Sequence, residues 1–125
     1  MDLSGMKLAP QGAKAGDLDA LEELPKDLRD FLEKHNGGLG MLGNRPLDLW
    51  SAAQIAKEAD SQDVSLAIPG LLLFGSDGGA EGYGFLARLQ KKNYGRISLL
   101  AAGAHEFEGL ADTFDGFLKA LSEGR

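Results

Sequence analysis

LPKDLRDFLEKHNGG, residues 24–38, holds the start, the buried stripe and the end of one amphipathic helix, and its reading decides the class of fold. Pro25 suits the first helical position, where a missing N–H costs nothing because that donor has no partner inside the helix. Leu24, Leu28, Phe31 and Leu32 recur at the three-and-four spacing of one helix face, while Lys26, Asp27, Arg29, Asp30, Glu33 and Lys34 take the other. Asn36-Gly37-Gly38 predicts the stop, since glycine closes a helix C-terminus in the left-handed conformation without a Cβ clash. Nothing in the stretch is catalytic; it is a packing element.

Working outward, residues 1–16 mix small, polar and glycine residues without a period and read as a flexible arm ahead of a single domain over 17–125. Asp17 is expected to cap a short helix with Leu18 and Leu21 on one face. Beyond the Asn-Gly-Gly stop, Leu47 and Leu49 alternate with Asp48 and Trp50 as in a short strand, and Ser51 caps the alanine-rich helix SAAQIAKEAD, with Ile55 turned inward. Trp50, the sole tryptophan, is expected in the core. Leu66, Ile68 and the run Leu71 to Phe74 read as strand, ending in the loop Gly75 to Gly79. Glu81 to Leu89 supplies its partner, with Tyr83, Phe85 and Ala87 on one face and Gly82 and Gly84 leaving the other bare for close approach. Ile97 to Ala101 gives a third strand, and so close a neighbour in sequence pairs antiparallel. Finally, GLADTFDGFLKALSEG places Leu110, Phe114, Phe117, Leu118 and Leu121 at helical spacing behind the capping candidates Asp112 and Thr113. Strands followed by and mixed with helices in this order predict an α+β domain.

Taken in order, three stretches resemble the SUKH superfamily, which includes yeast cell-wall-synthesis regulators linked to killer-toxin resistance and many bacterial immunity proteins. They are LPKDLRDFLEKHNGG (24–38), LLLFGSDGGAEGYGF (71–85) and LADTFDGFLKAL (110–121). The glycine-dense run from Gly38 to Gly43 departs from the pattern. The resemblance implies a single domain with a twisted, mostly antiparallel sheet packed against helices, a role as a protein-binding module, and no enzymatic residues.

The chain has 125 residues, 43% of them apolar, which is material for one core. It has no cysteine, which excludes disulfides, zinc–thiolate sites and thiol nucleophiles and makes a cytoplasmic location the expected one. The N-terminal stretch lacks the apolar core of a signal peptide, and no apolar run has the length of a membrane span. A net charge of −6 opposes binding to nucleic acid or anionic membrane and favours a basic protein partner. The resemblance implies a toxin domain, such as a nuclease with its basic groove, as the first reading of that partner, and a cellular protein bound by a scaffold or regulatory module as the second. The sequence carries no marker of oligomeric state.

Motifs with chemical meaning are few. Gly38 to Gly43 matches G-x-G-x-x-G, but the dinucleotide mechanism needs a strand before the glycines and a helix after them, and here a helix precedes and Asn44-Arg45-Pro46 follows. The loop from Gly75 to Gly84 lacks the Lys-Ser/Thr of a phosphate cradle, and Asp77 and Glu81 would repel phosphate. His35 and His105 stand in no triad or ligand frame, with no serine on a strained elbow. No cofactor or metal is therefore expected, and Asp77 with Gly78 reads as a turn rather than a cation loop. The candidate partner-binding residues are the loop acids Asp77 and Glu81 together with Glu106, Glu108 and Asp112.

Overall fold

The computed structural model describes residues 3–21, 24–101 and 103–125. In chain order its elements are β1 (Met6–Leu8), α1 (Ala15–Asp19), α2 (Lys26–Lys34), β2 (Gly38–Leu42), β3 (Arg45–Leu49), α3 (Ala52–Ser61) and α4 (Asp63–Ala67). There follow β4 (Leu71–Ser76), β5 (Glu81–Leu86), β6 (Tyr94–Ser98), β7 (Glu108–Ala111) and α5 (Phe114–Ser122), with a 3₁₀ turn at Ala104–Glu106. The strands form one open antiparallel sheet in the order β1-β2-β3-β4-β5-β6-β7, each paired with its sequence neighbour, and five helices pack with it into a single α+β domain. Among the described residues no helix is long and apolar enough to cross a membrane.

The expected helix is α2, with Leu28 and Leu32 buried and Phe31 half-buried. It starts one residue later and stops earlier than the sequence suggests. Pro25 is the residue before the helix, with φ −62 and ψ 146, and His35 is already extended. Gly37, at φ +97, serves a tight passage rather than a helix cap, because a Cβ there would stand 2.6 Å from the Leu49 carbonyl oxygen. Asn36 is the productive member of the motif. Its Oδ1 accepts the Ala52 N–H at 2.8 Å, satisfying a donor that the first turn of α3 leaves unpaired, while Ser51 Oγ accepts the Gln54 N–H at 3.1 Å as expected of the cap.

Residues expected in a flexible arm take part in the sheet. Met6, Lys7 and Leu8 pair with Gly40, Leu39 and Gly38, and the following segment is tied down by the Ala9 N–H on the Gly37 carbonyl, the Asn36 N–H on the Gln11 carbonyl and the Ala13 N–H on the Leu32 carbonyl. The glycine-dense run and the first strand explain each other. A Cβ at Gly38 would stand 3.0 Å from Leu8 Cα and one at Gly40 2.8 Å from Met6 Cα, so only a bare strand lets β1 lie so close. Gly43, with φ +63, opens the two-residue turn that joins Leu42 to Arg45 in register.

The β4–β5–β6 hairpins stand where the sequence places them, with a bulge between Leu73 and Gly75 and the third strand shifted to Tyr94–Ser98. Leu66 and Ile68, read as strand, instead belong to α4 and its end, and Leu66 is exposed. On the helix side of the sheet Phe74, Tyr83, Tyr94, Phe114 and Phe117 form one aromatic cluster, with centroids of Phe74–Phe117 at 5.3 Å and Tyr83–Phe117 at 5.4 Å. On the other side the bare positions Gly82 and Gly84 receive Leu99, Leu71 and Leu73. Trp50 is buried. Asp17 lies inside α1 rather than capping it, whereas Thr113 does cap α5, its Oγ1 accepting the Gly116 N–H at 3.0 Å.

Candidate interaction surface

Antiparallel register sets Arg96 of β6 directly between Tyr83 of β5 and Glu108 of β7 on the helix side of the sheet, beyond the end of α5. Arg96 Nε donates to Glu108 Oε1 at 3.0 Å and lies 3.9 Å from Glu81 Oε1, and the other oxygen of Glu81 stands 3.5 Å from an Arg45 nitrogen. The result is a four-membered chain, Arg45–Glu81–Arg96–Glu108, in which each charge inside the chain has two opposite neighbours. Burial is the largest single influence on Arg96 and works to lower its pKa, but the Glu108 hydrogen bond and the charges of Glu108 and Glu81 together outweigh it, and the pKa is raised. Below this chain the Tyr83 hydroxyl is fully buried with no hydrogen-bond partner among the described residues; burial raises its pKa, and Arg45 beside it partly offsets the rise. A groove of about 460 Å³ runs alongside, lined by Arg45, Pro46, Asp77, Ser122 and Glu123 among others.

The five acids proposed from sequence do not form one patch. Glu81 and Glu108 are brought together through Arg96, and Asp77 stands next to them at the β4–β5 turn. Asp77 Oδ1 accepts the Gly79 N–H at 2.8 Å and the Glu81 N–H at 3.3 Å, which is the turn chemistry its sequence context predicts. Glu106 is exposed on the 3₁₀ turn ahead of β7. Asp112 lies at the far end of the β6–β7 pair, where its Oδ1 accepts the Lys92 N–H at 2.6 Å. Glu81 and Glu108 thus present carboxylates already partnered by arginine, and a partner cation would have to compete for them.

Asp27, assigned from sequence to the solvent face of its helix, is a structural link that the pattern did not reveal. Its two oxygens accept the Tyr94 hydroxyl, the Leu28 N–H at 3.0 Å and the Phe114 N–H at 2.7 Å, so one carboxylate joins α2, β6 and the first turn of α5. Burial first, then the bond to Asp27, pushes the Tyr94 pKa far above the ordinary tyrosine value. The only signal in the sequence was an acid in the first turn of a helix, which usually means no more than a favourable dipole interaction.

The histidines are separate. His35 Nδ1 lies 2.8 Å from the Ala9 carbonyl oxygen, which secures the docked N-terminal segment, and His105 stands exposed on the 3₁₀ turn. The G-x-G-x-x-G match lies in β2 and its hairpin turn, with no helix N-terminus to receive a pyrophosphate. Among the described residues no group of three or more His, Cys, Asp or Glu side chains is placed to hold a metal ion. The arrangement offers charged, hydrogen-bonded surface rather than a nucleophile with its base.

Comparison with curated proteins gives no match. The SMI1 / KNR4 family (SUKH-1) matches residues 15–120, which takes in every element from α1 through the greater part of α5. With that match over most of its length, and with the α+β architecture that the three resembling stretches implied, the chain belongs to the SMI1/KNR4 (SUKH-1) family, which includes immunity proteins and is generally non-catalytic.

Proposed function

We propose that this chain is a non-enzymatic, cytoplasmic immunity protein that binds a toxin domain, a nuclease being the type its charge suits, and neutralises it by covering its working surface. The observation that carries the reading is the family match over residues 15–120. Net charge of −6 supports it, because a nuclease presents a basic groove and an acidic inhibitor gains association rate through steering. The candidate contacts are Asp77, Glu81, Glu106, Glu108 and Asp112. Within that set Glu81 and Glu108 would act through the arginine chain, so their charge reversal disturbs Arg96 as well as any partner.

The test is co-expression. The chain, produced in cells together with a toxin domain encoded beside its gene, is expected to restore growth, and the purified pair is expected to form a complex that weakens with salt. If cells die whether or not the chain is present, and the pair does not associate at low salt, the immunity reading fails and a scaffold role with a cellular partner takes its place.

A further inference from the structure

The side of the β1–β3 sheet that faces away from the helices is left uncovered, and it is not polar. Register puts Leu39 opposite Asp48 and Met41 opposite Pro46, with Lys7 of β1 opposite Leu39, so these side chains share one face. Leu42, Leu47 and Leu49 alternate to the buried face. Leu39 is 64% exposed and Met41 46%, two of the five large apolar side chains exposed among the described residues, and they stand two positions apart on one strand. In the midst of them is Asp48, half-buried, whose carboxylate has no hydrogen bond or ion pair among the described residues. A depression of about 290 Å³ opens beside it, lined by Lys7, Leu8, Gly38, Leu39 and Asp48 among others. Partial burial raises the Asp48 pKa, with no hydrogen bond or nearby cation to offset it.

A half-buried carboxylate of this kind has lost part of its water, so a cation that reaches it within an apolar contact finds an acceptor that no group of the described chain already holds. A symmetric pairing of two copies suits the face less well, because it sets two molecules that each carry −6 against each other with Lys7 as the one cation that the face itself offers. We propose that this face docks a protein partner that presents an arginine or lysine within an apolar patch, the cation entering the depression beside Asp48 and the surrounding apolar atoms covering Leu39, Met41 and Pro46. The inference rests on the reading of the chain as a protein-binding module, and it adds a contact surface separate from the five acids considered above.

Two measurements separate the site from the toxin reading. In the first, the isotope-labelled full chain is titrated with n-butylguanidinium chloride, a small mimic of an arginine side chain, and followed by NMR. Saturable shifts at the amides of Lys7, Leu39 and Asp48, weakened at least about ten-fold in Asp48→Asn, are expected. Equal shifts in the variant, or shifts spread evenly over the exposed acids, overturn the site. In the second, a Leu39→Asp/Met41→Asp double variant replaces the wild type in the co-expression test. Loss of protection with an unchanged thermal transition supports docking here, and full protection overturns it. A wild type that protects against no toxin while the titration still saturates at Asp48 removes the toxin reading and leaves the site standing. Concentration-dependent self-association abolished by Met41→Asp would reassign the face to a dimer and overturn the proposal.

Discussion

Three side chains show how single residues carry the design, and each yields a measurement. Asp27 satisfies a buried tyrosine hydroxyl and the first N–H of α5 at once, so Asp27→Ala should destabilise the fold by roughly 1–3 kcal/mol through the unpaired donors it leaves. In urea denaturation the midpoint should fall with little change in slope, and Tyr94→Phe should recover part of the loss in a double-mutant cycle. Asn36→Ala removes the acceptor for the Ala52 N–H and should cost about 1 kcal/mol, the usual effect of losing a helix cap. Asp48 has the opposite sign. Its folded pKa lies above the unfolded value, so the folded state holds more protons than the unfolded state between the two, and stability falls as pH rises through that window. The penalty is absent below the unfolded value of 3.8 and complete above the folded pKa. Asp48→Asn should therefore raise the thermal midpoint at neutral pH and leave it unchanged near pH 3; a lowered midpoint at neutral pH would mean that the carboxylate has a stabilising partner.

At the scale of elements, legibility followed the length of the periodic run. The helix at 24–38, the hairpin within 71–86 and the closing helix announce themselves because each repeats an apolar spacing several times and ends in a turn signal. β1 and β2 do not, since one is three residues long and the other places glycines where an ordinary strand would show alternating side chains. Their strand character comes from each other, through a close approach that no local pattern encodes. Gly40→Val should therefore expel β1, costing about 1–3 kcal/mol by overpacking and speeding hydrogen exchange at the Met41 and Ala9 amides, which donate to the Gly5 and Gly37 carbonyls. Leu66 and Ile68 suit a strand in the sequence because they alternate over too few residues to separate the two periods, although they belong to α4 and its end. α5 offers the strongest element-level test. Phe114, Phe117, Leu118 and Leu121 are all buried, and at about 1.5–3 kcal/mol each their loss exceeds much of a typical net stability of about 5–15 kcal/mol. A chain ending at Ala111 should show no cooperative thermal transition, and a native spectrum from it would separate α5 from the core. The candidate site was less legible than the fold, because Glu81, Arg96 and Glu108 are far apart in sequence and adjacent only through register. Asp48 reads as the polar half of an alternation, and nothing local in the sequence marks the exposed Leu39 and Met41 that register brings beside it.

For the molecule as a whole, a sheet covered by helices along one side and by Leu99 and its neighbours over part of the other leaves the β1–β3 face as open surface. The two faces then differ in chemistry: on the helix side acids are tied to arginines from Arg45 to Glu108, and on the other side of β1–β3 an apolar surface carries Asp48 with Lys7 at its edge. Salt should distinguish them in any complex, since charge steering across exposed acids fades over the Debye length, about 8 Å at physiological ionic strength, whereas a desolvated ion pair within an apolar patch persists. Whether this chain works by binding and blocking a toxin domain is tested most directly by titration calorimetry of the purified chain against a toxin domain from which it protects cells in co-expression. A one-to-one complex whose formation abolishes the toxin activity at equivalence is expected. Full toxin activity in the presence of excess chain, with no heat of binding at low salt, would contradict it.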